Sequence, residues 1–194
     1  MNKIYILLAV LALSYGQVRA TEKVSISSPD AKVKVELTSS DSGQTFYQVL
    51  YDGKEFLQPS PLGIKADIGD FSEGLSITGH SIDSIHESYK LDRIKTSCVD
   101  YRANRLLVSL SNVNNALIQV EFRVGNNDIA FRYLLPKQAE PASVRVESET
   151  TGFRFPEGTT TFLTPQSDAM IGWKRSKPSY EEIYTTDAPM TEKS

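Results

Sequence analysis

The chain has 194 residues, with 21 Lys plus Arg against 24 Asp plus Glu, a formal net charge of −3, and 40% hydrophobic residues. That length and composition fit one globular domain or slightly more, and exclude a disordered tail, a collagen-like repeat and a coiled coil. A mildly acidic chain has no general attraction for nucleic acid or anionic lipid; one cysteine, Cys98, makes neither an internal disulfide nor a Cys-rich zinc site, and two histidines, His80 and His86, exclude a three-His zinc site.

Residues 1–20 read as a secretory signal peptide. Lys3 opens the segment, an apolar run covers 4–13, and Val18-Arg19-Ala20 places small residues at −3 and −1 of a cleavage point. The alternative is a membrane anchor, but roughly ten apolar residues fall short of the about 20 that span a bilayer. No lipid-attachment cysteine follows. The mature chain is expected to be 21–194, exported to the periplasm, with no membrane segment once the signal is removed.

From there the pattern is strand upon strand. Residues 24–27 alternate, Ser28-Pro29-Asp30 turns the chain, and 32–37 (KVKVEL) puts Val33, Val35 and Leu37 on one face. A strand at 46–51 meets the hairpin turn Asp52-Gly53, and 54–57 returns. Pro59, Ser60 and Pro61 are expected to break the pairing before a new strand at 62–64. Polar-rich stretches at 76–85 and 87–94 read as edge strands. Residues 98–102, 105–111, 116–124 and 129–134 alternate well, and 144–147 and 153–155 add two more. Ten to twelve strands at 8–12-residue spacing, with no amphipathic helical window, predict an all-β, antiparallel sandwich or barrel with very little helix.

From Thr164 onward the alternation is lost, and Trp173, Tyr180 and Tyr184 mix with charges. An irregular stretch of this length is a functional loop or a linker, and the absence of a closing strand suggests a piece of a longer polypeptide. Within it Glu181-Glu182 is the one carboxylate pair with a choice of roles: a hard-cation ligand, since Ca²⁺ takes carboxylate oxygens; a general acid or base on a sugar; or a solvated acidic pair. Neighbours on an extended chain point opposite ways, so both do not reach one site. The aromatics stack on a sugar or anchor the loop. His80 and His86 read as surface or strand histidines, with no Gly-x-Ser-x-Gly elbow to supply a nucleophile. Cys98 is expected as a buried small hydrophobe, the other option being a Cys-His nucleophile. Phe131 and Tyr133 should face one side of their strand and Arg132 the other. No phosphate loop, dinucleotide fingerprint or basic aromatic stripe is present.

Several of these segments, in this order, resemble glycoside hydrolase family 97: Ser28-Pro29-Asp30, a Tyr47-containing strand, Asp52-Gly53-Lys54, Pro59-Ser60-Pro61-Leu62-Gly63-Ile64, Glu121-Phe122-Arg123, Asn127-Asp128-Ile129-Ala130-Phe131-Arg132-Tyr133, then Trp173 and Lys177-Pro178-Ser179-Tyr180-Glu181. The resemblance implies exported enzymes that hydrolyse α-glucosides or α-galactosides. It implies an N-terminal galactose-mutarotase-like β-super-sandwich, of which 21–194 is part and incomplete at its C-terminal end, followed by a catalytic (β/α)8 barrel that carries the catalytic carboxylates. It also implies a calcium ion beside the substrate, with one ligand from the N-terminal domain. The position that best matches is Glu181, in Tyr180-Glu181-x-x-Tyr184, with Glu182 as rival.

Three readings follow. The chain is the N-terminal part of a calcium-dependent α-glycosidase, inactive alone; or a stand-alone carbohydrate-binding β-sandwich; or a structural exported β domain. A reading frame that continues past Ser194 into alternating strands and helices separates the first from the others.

Overall fold

A computed structural model describes residues 22–40, 43–93, 95, 97–136, 143–163 and 185–190. The signal segment and Trp173, Tyr180, Glu181, Glu182 and Tyr184 lie outside the described residues.

The first four strands form a meander. They are β1 (Glu22–Ser27), β2 (Val33–Ser39), β3 (Thr45–Tyr51) and β4 (Lys54–Leu62), hydrogen-bonded as one antiparallel sheet in the order β1-β2-β3-β4. The turns are local in origin. Ser28 Oγ donates to Asp30 Oδ1 at 2.6 Å, and the Val33 amide donates back to Ser28 Oγ at 3.0 Å. Asp52 and Gly53 both adopt positive φ, the conformation a two-residue hairpin turn requires. After β5 (Ile64–Ala66) and β6 (Gly69–Asp70) comes a second meander: β7 (Ser76–Lys90), β8 (Cys98–Ser111), β9 (Leu117–Gly125) and β10 (Ile129–Leu134), in the order β10-β9-β8-β7. β11 (Val146–Glu149) joins β5 and β6 in a small sheet, and β12 (Thr160–Leu163) pairs with β13 (Thr185–Pro189). No helix occurs among the described residues, so none there is long and apolar enough to cross a membrane. The all-β antiparallel class read from the sequence is the observed one.

The two four-stranded sheets face one another, with β1 over β8 and β2 over β9. Their facing rows are the apolar rows of the alternation. Val35 and Leu37 from one sheet, and Leu106, Val108, Ile118, Val120 and Phe122 from the other, are all at most 1% exposed. Asn104 Nδ2 donates across the gap to the Ser27 carbonyl at 2.7 Å, and the Asp30 amide donates to Asn126 Oδ1 at 3.1 Å. These two bonds tie the β1–β2 connection to the second sheet.

Five expectations are corrected. Pro59 and Pro61 do not end their strand: β4 runs through them because it is an edge strand, Pro59 falling in the register shift opposite Gln48 and Pro61, whose carbonyl accepts from the Gly152 amide, turning its missing donor to the outer edge. The stretches read at 76–85 and from 87 onward are one strand, β7, which ends at Lys90, and 98–102 and 105–111 are one strand, β8, paired without a break from Lys90↔Cys98 to Gly79↔Ser109. Alternation fades there because the far half of this hairpin extends beyond the opposing sheet, and a strand wet on both faces has no apolar row to show. Cys98 is exposed, not buried, because it sits on that far half. The tail beyond Thr164 is not without strand, since β13 pairs back on β12. Residues 153–155 make a single bridge, Gln58↔Arg154, in place of a strand.

Candidate functional site

The stretch from Glu121 to Tyr133 becomes a hairpin. In β9–β10 the register pairs Phe131 with Phe122 and Arg132 with Glu121. Alternation then turns Phe122, Phe131 and Tyr133 inward and Glu121, Arg123 and Arg132 outward. Glu121 is nearly buried, with 4% of its side chain exposed, and accepts from Arg123 Nε at 2.8 Å and Arg132 Nη2 at 3.0 Å. Burial alone would raise its pKa; the two guanidinium hydrogen bonds outweigh it and hold the carboxyl below the ordinary glutamate range. Arg123 continues to Glu87 at 3.7 Å, and Arg105 pairs with Asp83, so charges of both signs run across the outer face of β7–β10. A carboxylate held ionised between two arginines is a poor general acid at neutral pH.

The inward residues build an aromatic cluster. Tyr47 lies 6.1 Å from Phe122, 5.7 Å from Phe131 and 6.3 Å from Phe153, the last edge-on. The Tyr47 hydroxyl donates to the Gly152 carbonyl at 3.1 Å, and burial, with the neighbouring Tyr133, pushes its pKa up to about 12. The Tyr133 hydroxyl accepts from the Gly63 amide at 2.9 Å and shares a hydrogen with Thr151 at 2.7 Å. The two tyrosines thus staple the 150–153 segment across the sandwich, Tyr47 from β3 of the first sheet and Tyr133 from β10 of the second.

Beside this cluster, between β3–β4 of one sheet and the start of β10 in the other, lies a cleft of about 540 Å³. Its floor is Tyr47, Val49, Leu57 and Phe131, its rims are Tyr51, Phe56 and Phe153, and the turn Asn126-Asn127-Asp128 closes one end. Phe56 and Phe153 are 57% and 59% exposed. The wall is almost wholly apolar, and Asp128, its one carboxylate, accepts from the Tyr101 hydroxyl at 3.0 Å.

The sequence candidates are dispersed. His80 is exposed on β7. His86 is paired with Asp100, whose pKa is lowered first by that bond and also by Arg102. Ser88 Oγ donates to Asp100 at 3.3 Å and not to the histidine, so no nucleophile–base pair exists there. Cys98, at the far end of the arm, is paired in register with Lys90. Glu181 and Glu182 lie outside the described residues. Among the described residues no group of three His, Cys, Asp or Glu side chains fits a metal ion, so those residues do not make a calcium site by themselves. Sequence reasoning missed the Glu121–arginine pairs; the signal was the Glu-x-Arg spacing on β9 facing an arginine on β10.

Comparison with known proteins bears directly on this fold. A family model described as Glycosyl-hydrolase 97 N-terminal matches residues 26–194. A probable retaining alpha-galactosidase of Streptomyces bingchenggensis is 31% identical over 137 residues, 71% of this chain and 20% of the relative. The retaining alpha-galactosidase of Bacteroides thetaiotaomicron is 27% identical over 94% of this chain and 26% of the relative. The chain therefore spans a fifth to a quarter of the length of these curated relatives. The crystal structure of a beta-arabinopyranosidase is 53% identical, with a TM-score of 0.78, over 88% of this chain and 27% of that one. A family 97 enzyme of Pseudoalteromonas sp. strain K8, solved with acarbose, is 22% identical with a TM-score of 0.66 over 74% of this chain and 22% of that one, a likeness of fold.

Proposed function

The chain belongs to the glycosyl-hydrolase 97 N-terminal family, and from that premise we propose that it is the N-terminal β-sandwich of an exported glycosidase whose catalytic carboxylates lie in a downstream (β/α)8 barrel. The match of the family over 26–194 is the observation that carries this reading. The chemistry of the described residues agrees with it. Their most buried carboxylate, Glu121, is locked between arginines, and the histidine–carboxylate pair has no nucleophile, so a reaction at a sugar requires groups from elsewhere.

The names of the relatives support a narrower substrate class. Two are alpha-galactosidases, and the 53% identical structure is a beta-arabinopyranosidase. A β-L-arabinopyranoside and an α-D-galactoside share ring configuration, including the axial C4 hydroxyl, and differ by one hydroxymethyl group. We therefore place the parent's substrate among glycosides with that axial hydroxyl, ahead of α-glucosides. A retaining outcome requires two barrel carboxyls about 5–5.5 Å apart. The role we assign to the N-terminal domain is to support the barrel and to contribute Glu181 as one oxygen ligand of a calcium ion whose other ligands come from the barrel. Ca²⁺ takes six to eight oxygens, so one domain's single carboxylate holds it only in company.

The experiment is to express the uninterrupted reading frame and assay aryl β-L-arabinopyranoside, α-D-galactoside and α-D-glucoside beside the 194-residue chain. Turnover of the first two by the parent, and none by the chain, is expected. Turnover by the chain alone would overturn the assignment.

A further inference from the structure

We propose that the aromatic cleft is the seat of a further β-strand, added to the open edge of β10 by polypeptide that follows Ser194 in the parent enzyme. The inference rests on the reading above for the existence of that parent. Three features of the cleft carry it.

The first is backbone supply. The Gly125 amide donates to the Asp128 carbonyl at 2.9 Å, which makes that pair a hydrogen-bonded one. Antiparallel pairs alternate between bonded and non-bonded, so Ala130, Arg132 and Leu134 bond to β9. The amides and carbonyls of Ile129, Phe131 and Tyr133 then point to the open side. Among the described residues β10 has β9 as its only strand neighbour. The opposite edge, on β4, is already engaged: the Gln58 amide donates to the Arg154 carbonyl, Gly152 to Pro61 and Thr150 to Gly63. Of the two sheet edges that flank the cleft, that of β10 is therefore the one left to extend among the described residues, and unpaired edges accept strands.

The second is side-chain supply. Ile129 and Phe131, whose backbones face the open side, also line the cleft, beside Phe153 and Phe56. A strand laid along β10 would hang every second side chain over Tyr47 and Phe131 and cover Phe56 and Phe153, which are more than half exposed. The third is the chemistry of the wall. A sugar subsite needs convergent polar groups among its aromatics; here the polar residues stand at one end, and the carboxylate among them is taken by Tyr101. Apolar side chains of a strand match the wall better. As for the source, this chain makes up 20–27% of the length of three relatives, so most of such a polypeptide lies outside it.

Hydrogen exchange of the parent and of the 194-residue chain tests the proposal. The Phe131 and Tyr133 amides should exchange freely in the chain and be slowed about a thousandfold or more in the parent, with Val108 and Val120 as core references in each. Within the parent, Phe56→Ser should lower the midpoint of sandwich unfolding by about 6 °C or more, against about 2 °C or less for Val113→Ser, which is exposed outside the cleft. Free exchange of both amides in the parent would overturn the proposal. So would protection already present in the chain, which would show that it fills the cleft itself, and so would concentration-dependent protection, which would assign the edge to a second copy. Protection of the chain's cleft by melibiose or a galacto-oligosaccharide would assign it to sugar instead. A parent that protects these amides yet hydrolyses no glycoside would sink the functional reading and leave this one standing; a reading frame that ends at Ser194 would overturn both.

Discussion

At Asp70 a single carboxyl gathers Ser72 and Lys65. It accepts from the Ser72 hydroxyl and, at 3.0 Å, from the Ser72 amide, and pairs with Lys65 at 3.1 Å; the serine bonds, then the lysine, bring its pKa down to about 2. A depressed folded pKa gives stability that is fully present above the ordinary value of 3.8 and is lost as pH falls through about 2. Asp70→Asn should therefore lower the urea midpoint at neutral pH, and the gap from the parent residue should close between about pH 4 and pH 2. A gap that stays constant over that window would remove the carboxylate from the explanation. Glu121 makes a second case. Glu121→Gln removes the charge that its two arginines share, and hydrogen bonds to charged groups contribute about 1.5–3 kcal/mol each. Both arginines reach solvent, so a net loss of about 1–3 kcal/mol is expected, read as a shift in urea midpoint at unchanged slope.

Strand ends and crossings are decided by backbone approach. Gly63 leaves β4 at the point where the chain packs on itself: a Cβ there would meet the Thr150 hydroxyl and lie 2.7 Å from Ser72 Cα. Backbone cannot yield as a side-chain tip can, so Gly63→Ala should destabilise by about 1–3 kcal/mol. Gly79, at the register shift of β7, has nothing within 4 Å of an added Cβ, and Gly79→Ala should leave the thermal midpoint unchanged or slightly raised. Reversed outcomes would mean that β4 and β7 are held differently. The β7–β8 arm shows the other limit of an element. Its cross-strand pairs continue to Lys90↔Cys98 while nearly all its far residues are exposed, and a two-stranded ribbon with no third strand is marginal in water. Amides of 86–90 and 98–102 should exchange well before those of β9, in one NMR or mass-spectrometric time course.

For the whole molecule the proposals concern export and the ion. Protein recovered from the periplasm should begin near Thr21 by mass spectrometry; mature material retaining Met1 would count against the signal reading. In the parent, Glu181→Gln would take one negative charge from the proposed calcium shell, and should weaken calcium affinity and lower activity, with partial recovery at high Ca²⁺, while Glu182→Gln does much less. The far-UV spectrum should not change for either. Equal, small effects would return Glu181 to a solvated loop acid, and a large effect at Glu182 alone would move the ligand by one residue.

How much of this was legible depended on whether one face of a segment is buried. Where it is, as in 33–37 and 117–125, period-2 alternation located the strands to within a residue or two, because burying alternate side chains is what a sandwich strand does. The inward Phe131 and Tyr133 and outward Arg132 followed from the same rule. Where no face is buried, the signal fails. The far half of β7–β8 read as fragments, and Cys98 as a core residue, although alternation with Val99 describes an arm with water on both sides. The resemblance carried by short motifs in order named the family, and local turn chemistry at Ser28-Pro29-Asp30 and Asp52-Gly53 fixed two reversals. The pairing of Glu121 with Arg132, the tyrosine staples on 150–153, the path of β4 through two prolines and the open edge of β10 came only with the tertiary structure. Each joins residues distant along the chain or depends on which neighbour a strand lacks, and neither property is written in any local window of sequence.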